Sequence, residues 1–294
     1  VGRTLVQLFI DGLSMGLVYV LMSSGFNLVI AVPNIIFIAF GEFYMLGAFV
    51  VWYVQVPAGL SYFIAVPAAV IITAILGGLS YLLVFRPLQF RRNQFLTNII
   101  AGVGLMLILG QAALMMFGTE ARGVPSLVSK VCEVLGVRIS LEKVVVILLS
   151  VVVLAALHFV LRRTRTGRAM RAVSFRPDVA ALQGVNADRM FLVAMILGCA
   201  LAGFAGAVMA PIFGVDLGMA ENGFLVMLVV MLGGIGSMPG AILGGLVFGM
   251  TLSYGQYFIG SGESQILFFA VILAILLFKP GGILGKNIEE IGHV

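Results

Sequence analysis

Two carboxylates stand inside long apolar runs, Asp11 and Glu42. An ionisable group in lipid costs about 2.5–3.5 kcal/mol on insertion scales, so it ordinarily faces a cavity or a partner and marks an ion or solute path. Asp11 lies near the start of its run, where simply reaching the interface is the favoured expectation. Glu42 follows Gly41 in IIFIAFGEFYMLGAF, with Pro33 and Asn34 just before that stretch. Gly41 and Gly47 weaken a helix there, and a helix broken at membrane depth is tolerated where it lines a cavity or is buried in protein. Two roles stay open for Glu42. It lines a transport path, as broken helices do in transporters, or it caps a restarting helix at the positive end of the helix dipole. The candidate path residues in this part of the chain are Phe37, Phe40, Gly41 and Glu42. Gln111 is a further candidate, although amides within spans more often join helices, as Asn27, Asn98 and Gln256 are expected to do. A last candidate group is Gly233, Gly234 and Gly236, in LGGIGSMPGA (232–241). Four glycines and a proline in ten residues do not make a regular helix interior, so a turn or unwound junction between two half-spans is expected.

The densest charge lies elsewhere. Residues 162–190 carry seven of the chain's 17 basic side chains (Arg162, Arg163, Arg165, Arg168, Arg171, Arg176 and Arg189) against Asp178 and Asp188. Within this loop Pro177 fits the first turn of a helix, Asp178 adds a favourable acid there, and Gly184 fits the position just past its end. Val179, Ala180 and Leu182 supply apolar contacts. A helix of about two turns is marginal alone and needs a surface to lie on. Anionic headgroups would attract the flanking arginines, but that reading leaves the capped apolar helix unexplained.

Other chemistries are excluded by missing parts. His158 and His293 are isolated, whereas a metal site needs clustered ligands. No nucleophile elbow with a base is visible. The Gly285–Lys286 pair continues with Asn287 and has no glycine five places before it, so no phosphate loop of the G-x-x-x-x-G-K-[ST] type is present. Cys132 and Cys199 lie in a polar loop and an apolar segment and imply no disulfide framework.

The elements that position these residues follow from composition. The chain is 62% hydrophobic and 10% charged, with mean hydropathy +1.19, whereas soluble domains carry about a quarter charged residues. Its solvent is therefore lipid. The net charge of +5 is spread between apolar segments without a basic face of interleaved aromatics, so no nucleic-acid partner is expected. Runs near the length of a span, about 20 residues, are Leu5–Ala31, Ile35–Val56, Leu60–Phe85, Leu96–Phe117, Lys143–Leu161, Phe191–Ile212 and Ala241–Ile259. Gly223–Gly236 and Gln265–Phe278 are short or interrupted. The expected fold is all-α, a polytopic transmembrane helical bundle of eight to nine spans with broken or re-entrant helices, forming one domain over 1–294. The run at Leu5 lacks a basic leader and a small-residue cleavage site and reads as a retained span. Placing the 162–190 loop inside puts twelve basic residues on the cytoplasmic side against five outside, which sets the C-terminus inside. Small residues at four-residue spacing (Gly198, Ala202, Gly206, Ala210; Ala241, Gly245, Gly249) let helix backbones approach closely. The outer loop 118–142 is marked by turns at Gly123, Pro125 and Gly136, with a short strand expected at Val137–Ser140.

TRTGRAMRAVSFRPDVAALQGVNADRM resembles the cytoplasmic loop of permeases from branched-chain amino acid ABC importers, specifically the first of their two permease types. LGGIGSMPGAILGGLVFG, LFKPGGILGK and GEFYMLGAF are similar to further blocks of that family, in order and through most of the chain. The resemblance implies a bacterial inner-membrane permease that binds no cofactor itself. A second permease subunit, expected to be a different chain, would complete the pathway. Two ATPase subunits would carry ATP and Mg, and a periplasmic substrate-binding protein would deliver the solute. The coupling segment would be Pro177, Asp178, Val179, Ala180, Ala181, Leu182 and Gly184. Where members of the family read N-F-A-H-G-E, this chain has Phe37-Ile38-Ala39-Phe40-Gly41-Glu42. The resemblance then implies a more apolar path, suited to aromatic acids better than to urea, unless the partner permease contributes the polar half. The alternative from another class is an ion-coupled secondary transporter, for which Asp11 and Glu42 are the available ligands.

Overall fold

The computed structural model describes residues 2–89, 94–125, 131–134, 137–279 and 281–285. Arg91, Arg92, Lys130, Gly136, Lys286 and His293 lie outside them. The described chain is helical apart from one small hairpin: α1 (Gly2–Ala31), α2 (Phe40–Gln55), α3 (Tyr62–Ser80), α4 (Gln94–Phe117), strands β1 (Val131–Val134) and β2 (Val137–Ser140), then α5 (Leu141–Arg163), α6 (Arg165–Phe175), α7 (Pro177–Leu182), α8 (Ala187–Phe213), α9 (Asn222–Gly233), α10 (Met238–Phe258) and α11 (Ser261–Phe278). A π turn, Tyr81–Phe85, and a helical turn, Arg86–Leu88, extend α3. A 3-10 turn, Leu217–Glu221, precedes α9. β1 and β2 pair antiparallel, with Val131 opposite Ser140, so the strand expected at Val137–Ser140 is present.

Six helices are long and apolar enough to cross a membrane, and Leu217–Gly233 and Glu263–Phe278 form shorter apolar helices. The run Ile35–Val56 does not form one helix over its whole length. Asn34 takes a positive φ of 55° behind Pro33, and helix resumes only at Phe40. The 16 residues of α2 reach about 24 Å, short of a hydrocarbon core of about 30 Å.

Residues 25–125 and 153–224 form one compact unit, and residues 1–24, 126–152 and 225–294 another. In the first, α8 lies against α2 and α3, and glycine permits the approach. Gly47 stands against the backbone of Gly203, Gly206 against Tyr44 and Gly198 against Gly25. Cys199 is buried beside Gly77 as a free thiol. In the second unit α1 crosses α10 through Gly16 on Gly249 and Val20 on Gly245, and Ser23 donates to the Ala241 carbonyl at 3.0 Å. Both four-residue stripes therefore meet neighbouring backbone. Tyr19, Phe248 and Phe268 fill the core of this unit, with ring centroids 4.3 and 4.2 Å apart.

Asp11 does not reach the interface alone. Its carboxylate accepts from Lys143 Nζ at 2.6 Å, with about a quarter of each side chain exposed. The two residues are 132 positions apart, which is why local sequence gave no hint of the pair.

The helix expected to break at 232–241 does break. Gly234 and Gly236 have φ of 103° and 81°, and Ser237 caps α10 by accepting from Gly240 N–H at 3.2 Å. The carbonyls that α9 leaves open are taken up by the C-terminal turn: Ile283 donates to Leu232 at 2.8 Å and Leu284 to Gly233 at 3.1 Å. Gly234 is seated against Gly281 and Gly285. The two glycine-rich motifs, far apart in sequence, are thus two halves of one joint.

Candidate functional site

The basic loop is built on the inner end of α5. Thr164 ends that helix by donating to the Val160 carbonyl at 2.6 Å and starts the next by accepting from Gly167 N–H at 3.1 Å. α6, in the segment expected as loop, carries one buried face, Gly167, Met170 and Val173. Gly167 sits against the carbonyls of Val160 and Leu161, and Arg171 donates to Leu161 at 2.5 Å. The arginines at 163, 165, 168, 171 and 176 point outward.

α7 follows with Pro177 in its first turn and Asp178 beside it. Gly184 has φ of 79° and closes the helix by donating to the Ala181 carbonyl at 2.9 Å. The three apolar side chains divide. Ala180 is buried with Met170, Val173, Leu28, Val32 and Ala194. Val179 and Leu182 face out, 46% and 88% exposed, and Phe175 at the end of α6 is exposed beside them in sequence. α7 is therefore held by one small residue while its larger side chains stay on the surface. Ala181 and Asp178 are also exposed.

Sequence reasoning missed the fastening just beyond this helix. Asn186 caps α8 by accepting from Arg189 N–H at 3.1 Å. Asp188 in the first turn accepts from the hydroxyl of buried Tyr81 at 2.7 Å and pairs with Arg86 at 3.1 Å. Tyr81 opens the π turn at the inner end of α3, and such turns recur at functional positions. Tyr81→Phe is expected to leave the fold intact and to weaken this tie by about 1 kcal/mol, because hydrogen bonds to charged groups contribute about 1.5–3 kcal/mol and water replaces part of the loss. The expected readout is faster hydrogen exchange at residues 186–190, with exchange in the body of α8 unchanged.

The π turn also reaches the Glu42 region. Phe85 packs edge-on against Phe37 with ring centroids 5.5 Å apart, and Phe37 meets Phe43 at 5.4 Å. Phe26 meets Phe40 at 5.2 Å. Phe37 and Phe40 are wholly buried in this aromatic cluster. Gly41 is pressed on Ala220 and Gly223, which fixes the start of α2. The N–H groups of Phe40 and Glu42 donate to the carbonyls of Phe37 and Ala39, both at 3.1 Å. The Glu42 carboxylate makes no capping bond: its Oε2 is buried and has no hydrogen-bond partner among the described residues. Glu42 lies over Gly110 of α4. Gln111, the next residue, is exposed. In the other unit Gly233 and Gly234 are buried in the joint described above, and Gly236 is exposed.

No group of three histidine, cysteine, aspartate or glutamate side chains that would hold a metal occurs among the described residues.

Comparison with known proteins gives a consistent outcome. The profile of the family described as "Branched-chain amino acid transport system / permease component" matches residues 8–278. The chain is 28% identical to the high-affinity branched-chain amino acid transport system permease protein BraD of Pseudomonas aeruginosa, over 97% of this chain and 98% of that one. It is 27% identical to the permease protein LivH of Escherichia coli K12, over 97% of both. Similarity extends to the permease protein LivM of Salmonella typhimurium, at 25% identity over 94% of this chain and 69% of LivM. Among solved structures, PsaBC from Streptococcus pneumoniae in complex with Fab aligns with a TM-score of 0.49 at 14% identity, covering 92% of this chain and 90% of that one.

Proposed function

Because this chain belongs to the permease component family of branched-chain amino acid transport systems, as a non-catalytic membrane subunit, we propose that it forms half of the pathway of an ATP-binding-cassette importer. The solute is a branched-chain amino acid or a related small organic molecule, moved into the cytoplasm by alternating access. Residues 1–294 act as one permease domain of eight to nine spans in a bacterial inner membrane, with the C-terminus in the cytoplasm. The second permease subunit is a different, LivM-like chain. Two ATPase subunits bind ATP and Mg, and a periplasmic protein delivers the solute.

The observation that carries this reading is the outward pair Val179 and Leu182 on a two-turn helix anchored through Ala180. Fully burying such side chains contributes about 1.5–3 kcal/mol each, so α7 is suited to enter an apolar groove on another polypeptide. ATP binding closes the ATPase pair and carries α7 with it. The Asp188–Tyr81 bond passes that movement to α3 as well as to α8. The ion-coupled alternative loses one of its two ligands, since Asp11 is already paired with Lys143. The pathway residues of this reading are Phe37, Phe40, Gly41, Glu42 and Gln111, together with Gly233, Gly234 and Gly236.

Co-purification tests it. Expressed with the proteins of its own operon, the chain should retain an ATPase at one copy per permease chain, and Leu182→Cys should cross-link to that ATPase. Recovery without any ATPase, or cross-linking only to lipid, would overturn the proposal.

A further inference from the structure

Four arginines of the basic loop have no part in the importer reading, which draws on α7. Arg162 and Arg163 form the last turn of α5, and Arg165 and Arg168 lie in the first turns of α6. All four are exposed. Among the described residues no carboxylate forms an ion pair with any of them. Asp188, in the same loop, is taken by Arg86 and Tyr81. The junction that carries the four is fixed. Thr164 bonds to both helices, Gly167 stands against the Val160 and Leu161 carbonyls, and Arg171 is drawn back to Leu161. The guanidiniums are thus presented together from a rigid corner, where α5 leaves its apolar run.

The helix leading to this corner separates it from an ordinary solvated charge run. α5 is long, apolar and little buried. Ala155 and Phe159 are exposed, Phe159 by 61%. They stand four residues apart, and Arg162 and Arg163 follow Phe159 by three and four. Residues at that spacing share one helix face, so an apolar stripe runs straight into two guanidiniums. A phospholipid has the same order, acyl chain and then phosphate. Arginine offers a planar fork of donors that matches phosphate oxygens. Four basic side chains immediately cytoplasmic of a span also attract anionic headgroups. We infer that the inner end of α5 seats one anionic phospholipid of the cytoplasmic leaflet. Its phosphate is held by Arg162 and Arg163 and drawn further by Arg165 and Arg168, and its chain lies along Phe159 and Ala155. Free phosphate would use the arginines and leave the stripe idle. An acidic patch on an ATPase would do the same, and Arg162 and Arg163 belong to α5 itself rather than to α6 or α7.

The test is lipid retention by the purified complex of this chain with its partners. Native mass spectrometry would compare phosphatidylglycerol with phosphatidylcholine of equal chain length. The wild type should hold phosphatidylglycerol in preference. Replacing all four arginines by glutamine should weaken that preference by at least about tenfold, since each basic side chain near an anionic surface contributes about fivefold. The variant keeps eight of the twelve cytoplasmic basic residues, so its orientation holds. Should it fail to insert, the pair Arg162→Gln with Arg163→Gln, the two on the α5 stripe, decides the matter in the same assay. Phe159→Asn should also weaken retention, and an excess of inorganic phosphate should not displace the lipid. Equal retention of the two lipids by the wild type, or unchanged retention by the glutamine variants, would overturn the inference. So would displacement by inorganic phosphate, which needs no chain. Loss of the ATPases from the glutamine variants with lipid retention intact would overturn it as well, by assigning the arginines to the ATPase contact.

Discussion

Leu182→Glu is expected to cut ATP-driven uptake by at least about tenfold while the protein still inserts and folds. Leu182 is 88% exposed, so its own unit loses little when it is replaced. In an ATPase groove its burial contributes about 1.5–3 kcal/mol, and about 1.4 kcal/mol is a factor of ten in affinity. Glutamate removes that contribution and adds the cost of an unpaired charge at an apolar contact. The checks are uptake, ATPase retention on purification and thermal stability, measured on one preparation. Leu182→Ala should fall between wild type and Leu182→Glu. A matching Ala180→Glu change is a different experiment: Ala180 is buried against Met170 and Val173, so that variant should unfold the loop.

The second large effect is structural. Gly47→Leu is expected to destabilise the α2–α8 contact by about 3 kcal/mol or more, at the upper end of what over-packing costs. A Cβ at Gly47 would come within 2.5 Å of the Gly203 Cα and 2.7 Å of its carbonyl carbon. Those are backbone atoms and cannot swing aside. Gly203 in turn faces Thr73 of α3, so α8 has no free direction in which to retreat. The readout is the folded yield and thermal midpoint in detergent, with uptake lost in proportion. Gly104→Leu, at a position with nothing within 4 Å, serves as the control and should be near neutral.

Much of this was legible locally. Pro177, Asp178 and Gly184 announced a two-turn helix because first-turn proline and a terminal glycine act through backbone geometry alone. The glycine-rich break near 234–236 was legible for the same reason. Span lengths were less so: α2 is only 16 residues long because Asn34 turns the chain and helix restarts at Phe40, which an apolar run from Ile35 to Val56 does not reveal. α6 was missed because its buried stripe is only Gly167, Met170 and Val173, diluted by arginines. The pairs Asp11–Lys143 and Tyr81–Asp188 join residues 132 and 107 positions apart, and charge patterning within a window carries no information about them. The aromatic positions were legible as apolar but not as core, since burial depends on which helices meet.

Two contacts lead inward from the base of the loop, Asp188 to Tyr81 and, four residues further along the π turn, Phe85 to Phe37. Spatial continuity is not itself coupling. It does identify Tyr81 as a position where a substitution touching neither ATPase nor solute should alter the ratio of uptake to ATP hydrolysis.

The most direct test of the central claim is solute uptake by proteoliposomes containing this chain with its partner permease, ATPases and binding protein, with internal and external ion composition equalised. Uptake that requires ATP on the ATPase side, and that falls with Leu182→Glu while the permease remains folded, is the predicted result. Uptake by this chain without ATPases, driven by a sodium or proton gradient and indifferent to Leu182→Glu, would contradict it.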